Sequence, residues 1–287
     1  MSRWRSKSAL PVLPLVLGVS AQGVAWCVPE AADWQSWDWP EDVDGPTVLR
    51  EWVLNQAPLV SGAGQPVQVC LAPSLARHWV QSVPAQTACL SELHAVAAAR
   101  AQQLWGPGPS GGWMVTGDWQ AEGAFLCTAV PAVWEPVWAA MRARWGRIAL
   151  HTPLLLAQQQ GQTQWPQTGW LAVAVAQRLY VQRREAGRMV SLRSVRWPGA
   201  SSLKTLQTLA AQEGRREMLR VDSGQENLHL LALFEGGDKA AEHESLKTLP
   251  WRPAGKMPTV PLDAPEAVQA AWCARRCLEG EGARHAA

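Results

Sequence analysis

The acidic residues Asp33, Asp38, Glu41, Asp42 and Asp44 cluster around Trp34, Trp37 and Trp39 in ADWQSWDWPEDVDGP. Paired carboxylates can do acid/base work on a sugar, and exposed indoles can stack on one, so glycan chemistry would sit here. Closely spaced acids in a Pro- and Gly-containing loop are also an ordinary solvated face. Cys273 and Cys277 fall on one face of a C-terminal helix, but no second Cys or His pair lies near to complete a zinc site. The histidines are scattered singly and form no HExxH pair. WGPGPSGG has the glycines of a phosphate cradle without the Gly-Lys-Ser/Thr end that would contact phosphate and magnesium. There is no GxSxG elbow and no GxGxxG after a strand. The expectation from motifs is therefore no catalytic residue and no metal ligand.

Composition narrows the class. A chain of 287 residues with a net charge of +2 can build a sizeable core, yet carries no basic stripe of the kind that binds nucleic acid. Eighteen Trp stand against one Tyr and two Phe, which makes tryptophan the general aromatic core filler. The six cysteines are expected as reduced thiols, with Cys70 and Cys127 buried in apolar strand-like runs. No segment has the ~18 consecutive apolar residues that suggest a membrane span.

The elements that must position any site follow from periodicity. GWMVTGDWQ and AFLCTAVP read as two antiparallel strands around a turn at Ala121, Glu122 and Gly123. From Trp134 the apolar positions Trp134, Val137, Trp138, Met141 and Trp145 form a helical stripe, expected to pack on that hairpin. RIALHTP reads as a short buried strand. Upstream, TVLREWVLNQAP is a helix, QPVQVCLAP and RHWVQSV are strands, and a helix runs from Thr87 as N-cap to Trp105, burying Leu90, Leu93, Ala97, Ala101 and Leu104. The Gln-rich QQQGQTQWPQTG separates two halves. The second half has a meander, GWLAVAVAQ, RLYVQRREA and RMVSLRSVRWP, with turns near Gln177 and at Ala186–Gly187. Then come the helix SLKTLQTLAAQEG, capped by Ser201 or Ser202, the strand LHLLALF and the helix PEAVQAAWCARRCLEG. The N-terminus has two readings. MSRWRSKSALPVLPLVLGVSAQGVA has the outline of a secretory signal, while PLVLGVSAQGVAWCVP reads as a hairpin turning at Gln22 and Gly23, and the hairpin is favoured.

The order VQVCLAPSLARHWVQSVP, SELHAVAAARAQQLW, AFLCTAVPAVWEPVWAAMRARWGRIALHTPLLLA and GWLAVAVAQRLYVQRREAGRMVSLRSVRWP resembles the actin-like proteins of bacterial envelope machines. The relatives in view are the type IV pilus PilM and the cytoplasmic domain of type II secretion GspL. The resemblance covers about residues 15–230 and implies an α/β fold of two actin-like (ribonuclease H-like) lobes. The lobes would span residues 1–158 and 159–287, with a flexible tail after about 280. Nucleotide-binding members of such a family hold phosphate on a hairpin turn, with an Asp placing magnesium, and open the second lobe on a similar acidic turn. Here the turns read GVSAQGV and AVAQRLY, with no Asp. Gly18, Ser20 and Gly23 are the degenerate phosphate-turn candidates, and Gly236 and Gly237 faintly resemble an adenosine-contacting pair.

The resemblance thus implies a non-catalytic scaffold without a required cofactor, ATP being a weak possibility. It would work in the cytoplasm beside the inner membrane. Its partner would be the cytoplasmic segment of an inner-membrane assembly protein or an assembly ATPase, with no nucleic acid and no span of its own. The alternative is an exported Trp-rich domain that binds glycan or an envelope protein.

Overall fold

Leu15–Val19 (β1) and Gly23–Cys27 (β2) pair antiparallel, as the hairpin reading of the N-terminal run requires. The structure is a computed structural model and describes residues 14–27, 34–40, 42–55, 66–109, 111–117, 119, 123–161, 165–175, 177–197, 203–221, 228–232, 246–248 and 264–285. Gln35–Asp38 (β3), expected as loop, instead pairs antiparallel with β2 and supplies partners for its outer edge. Gly45–Asn55 (α1) starts before Thr47, because the Asp44 carboxylate accepts from both the Thr47 N–H and its hydroxyl.

Next come Val67–Leu71 (β4), Arg77–Gln81 (β5) and Leu90–Trp105 (α2). Thr87 does not cap α2. The N-cap is Cys89, without a side-chain cap bond, and Glu92 accepts instead from the Ala88 N–H at 2.7 Å. Only Leu93, Ala97 and Ala101 of the expected stripe are buried, since Leu90 and Leu104 sit at the helix ends and stay exposed.

Trp113–Gly117 (β6) and Phe125–Pro131 (β7) form the expected hairpin, and a short turn at Ala132–Trp134 leads into Glu135–Trp145 (α3). Ile148–His151 (β8) and Pro153–Gly161 (α4) complete the first half. Gly169–Val175 (β9), Arg178–Glu185 (β10) and Arg188–Arg196 (β11) form the meander, turning at Gln177 and Ala186, both with positive φ. Leu203–Val221 (α5) continues past Gly214, where the sequence suggested a stop. A Cβ there would meet Leu228 at 2.6 Å, so this glycine serves close packing rather than termination. Ser201 and Ser202 lie outside the described residues. Leu228–Ala232 (β12), Leu246–Thr248 (β13) and Glu266–His285 (α6) close the chain.

The fold is mixed α/β, and two of its sheets follow one plan. Their orders are β3-β2-β1-β4-β8 and β11-β10-β9-β12-β13. In each, the first three strands are an antiparallel meander and the last two add parallel to its first strand. Period-2 burial explains how these sheets are covered on both faces. Leu15, Leu17, Val19, Val67 and Val69 meet α1 and α3, while Val16, Ala25 and Cys70 turn to α4 and α6. In the second sheet Trp170, Ala172, Leu179 and Val181 meet α5, and Leu171, Val173, Val175 and Tyr180 enter the same core as α4 and α6. These two helices therefore lie in the layer shared by both sheets.

The third sheet, β5-β7-β6, packs one face on α2 through Trp79, Phe125 and Cys127. The α3 stripe is fully buried, but against the first sheet and α1. Of the β6–β7 hairpin only Val130 and Met114 reach it, because the hairpin has already spent the face bearing Phe125 and Cys127 on α2. Every tryptophan among the described residues is buried or half-buried. Trp34 packs in the layer of α4 and α6 while Trp37 and Trp39 pack with α1 and α3, so the three indoles present no common sugar-stacking face.

Candidate functional site

The turn at 20–22 and the turn at Gln177 open onto one cavity of about 830 Å³. Its lining includes Ser20, Ala21, Gln22, Asp38, Trp39 and Ser74 from the first half. Arg77 enters from β5, Gln177, Arg178 and Arg196 from the meander, and Ala264, Pro265 and Glu266 from the start of α6.

The first turn is closed on itself. The Ser20 hydroxyl accepts from the amides of Gln22 (3.1 Å) and Gly23 (3.0 Å), and the Ser74 hydroxyl accepts from the Ala21 amide (3.1 Å). The Ser20 amide donates to the Gly23 carbonyl at 2.9 Å. A phosphate held by backbone amides needs them free and convergent. Here a phosphate would first have to displace two serine hydroxyls, so the turn does not fit the phosphate group of a nucleotide. Gly18 lies in β1 beneath α6, where a Cβ would meet the Ala267 carbonyl oxygen at 1.9 Å. Gly23 is crossed by Asp38, whose Oδ1 would lie 2.4 Å from a Cβ. Among the three phosphate-turn candidates, only Ser20 lines the cavity. Gly236, Gly237, Asp33, Glu41 and the Cys277 side chain lie outside the described residues.

Carboxylates reach the cavity from elements other than the turns, namely Asp38 from β3 and Glu266 from α6. Glu266 accepts from the Ser74 amide at 3.1 Å. Burial raises its carboxyl above the ordinary range, against the pull of that hydrogen bond and of Arg178 and Arg196. No three His, Cys, Asp or Glu among the described residues are grouped to hold a metal. No disulfide joins the described cysteines to one another, and Cys89 is exposed rather than buried.

Cations outnumber acids. Arg178 and Arg196 are directly opposed in the β10–β11 register, and neither has an ion-pair partner among the described residues. Arg77 lies close enough for burial and the Arg178 charge to lower its pKa. Past Arg77 and Arg178 a smaller pocket of about 120 Å³ continues to His78, Trp105, Tyr180 and Ser194. His78 Nδ1 is 3.0 Å from the Thr128 hydroxyl, and its buried Nε2 has no partner. Burial, reinforced by Arg77, lowers the His78 pKa to about 3 and keeps the ring neutral.

Sequence reasoning reached Ser20 and both turns but missed the arginines, Ser74, Glu266 and His78, which come from separate elements. One signal was available: Arg178 and Arg196 flank the Ala186–Gly187 turn almost symmetrically, so a tight hairpin sets them opposite each other.

No protein-family model matches the sequence, and no curated protein matches it. Among solved structures, the chain is similar to a PilM-PilN type IV pilus biogenesis complex at 13% identity, with a TM-score of 0.48, covering 82% of this chain and 88% of that one. A protein of Bacteroides thetaiotaomicron with an actin-like ATPase fold and unknown function aligns at 9% identity and TM-score 0.46, covering 76% of this chain and 80% of that one. The cytoplasmic domain of EpsL, an inner-membrane component of the Vibrio cholerae type II secretion system, aligns at 15% identity and TM-score 0.41 over 92% of this chain and 94% of that one. No helix among the described residues is long and apolar enough to cross a membrane.

Proposed function

We propose that this chain is a non-catalytic actin-like scaffold that docks partners in a type IV pilus or type II secretion-like assembly at the inner membrane. Its two like-ordered sheets are the cores of two lobes, residues 1–158 and 159–287, and the cavity between their turns is the cleft. The envelope setting is taken from the resemblance of the sequence, which also points to the cytoplasmic segment of an inner-membrane protein or to an assembly ATPase as partner. The observation that carries the non-catalytic reading is the first turn, whose amides are held by the Ser20 and Ser74 hydroxyls. A scaffold needs a fixed geometry rather than a turn that re-forms around a phosphate, and both hydroxyls supply that fixity.

Co-expression with the cytoplasmic segments of inner-membrane proteins encoded beside its gene tests the reading. One segment is expected to co-purify equally well with and without nucleotide. The reading fails if no segment co-purifies, or if the complex forms only with ATP.

A further inference from the structure

We propose that the cleft binds an acidic peptide segment of the docked partner, its carboxylates held by Arg77, Arg178 and Arg196; this rests on the docking reading above. The cross-strand pair Arg178 and Arg196 sets like charges directly opposite each other, an arrangement that costs stability. Glu266 offsets part of that cost across the cavity, but neither guanidinium has an ion-pair partner among the described residues. Arg77 adds a third cation on the same cavity wall. Of the two facing carboxylates, Glu266 is engaged with the Ser74 amide, and Asp38 lies over Gly23. The cleft is left with unspent positive charge, which an anionic occupant would neutralise.

One observation favours carboxylate over phosphate. Phosphate sites draw on backbone amides, and those of the first turn are already taken. Guanidinium forks, which pair with phosphate as well, hold a planar carboxylate two bonds at a time and need no backbone amides to do so. A volume of about 830 Å³ falls within the range of ligand clefts and admits several residues of chain. Trp39, Pro40, Val43 and Pro265 give its apolar walls for the stems of a peptide. The pocket of about 120 Å³ behind Arg77 and Arg178 is sized for one carboxyl group.

Fluorescence anisotropy of the full chain with fluorescein-labelled hexaglutamate tests this. Binding is expected, weakening when salt rises from about 50 to about 300 mM and falling at least about tenfold in the Arg178→Gln/Arg196→Gln double variant. That variant should melt no earlier than the parent, because the like-charge pair is gone. Arg77→Gln, on a different sheet, should give the same loss and guards against a local folding effect. The proposal is overturned if hexaglutamate does not bind, if both variants bind it as the parent does, or if inorganic triphosphate displaces it at lower concentration than unlabelled hexaglutamate. Tight magnesium-ATP binding with hexaglutamate binding intact would sink the non-catalytic reading and leave this one standing.

Discussion

His78 is a titratable ring sealed between β5, β7 and β10, with Thr128 at one nitrogen, Tyr180 edge-on at 5.7 Å, and Arg77 next in the chain. Its pKa of about 3 lies below the ordinary histidine value of 6.5. The unfolded chain therefore takes up a proton at a pH where the folded one does not, and the stability gained by burying a neutral ring is whole above pH ~6.5 and drains away as pH falls toward 3. Chemical denaturation of the parent and of His78→Gln at pH 7 and pH 5 isolates this contribution. The parent should lose about 2 kcal/mol more than the variant over that interval; equal losses would show that the ring protonates in place. Nothing in the sequence marks His78, since a lone histidine in an apolar strand carries no spacing signal. Ser20 was legible because a serine in a tight turn is a local feature, whereas its helper Ser74 lies 53 residues from the amide it accepts from.

At the scale of elements, α3 shows what periodicity can and cannot tell. The stripe Trp134, Val137, Trp138, Met141 and Trp145 is buried as its spacing requires. The spacing does not say which surface covers it. The rings of Trp134 and Trp138 stack at 5.7 Å and face the first sheet and α1 instead of the neighbouring hairpin. Trp138→Ala should cost about 3–5 kcal/mol, since Trp138 is 1% exposed and its neighbours cannot collapse into so large a void. Trp138→Phe should cost far less, because the Nε1 it removes is buried without an acceptor. Thermal melts of the two variants decide the point. Similar losses would mean that the indole's size is not what matters there. The edge strand β3 was hidden for the opposite reason: four mostly exposed residues give no burial alternation to read, and their pairing follows from the open edge of β2.

For the whole molecule, the repeated strand order was partly legible as a repeated succession of hairpin, helix and strand. What joins the repeats was not. The helix α6 comes last in the chain yet packs on β1, β2, β4 and α4, and contacts so distant in sequence leave no local trace. Gly18 is the clearest mark of that packing. Gly18→Ala would drive a methyl into the α6 backbone and should destabilise by about 1–3 kcal/mol or more. Hydrogen exchange should speed up in α6 and β1 together, whereas a loss confined to the 20–22 turn would tie Gly18 to the turn instead. A molecule whose two turns face one cleft invites the expectation of nucleotide there, and the closed first turn argues against it. Calorimetric titration of the full chain with ATP and magnesium addresses this most directly. The account predicts no binding tighter than the millimolar range, about 4 kcal/mol of binding free energy, and no phosphate release. Micromolar binding accompanied by hydrolysis would contradict it.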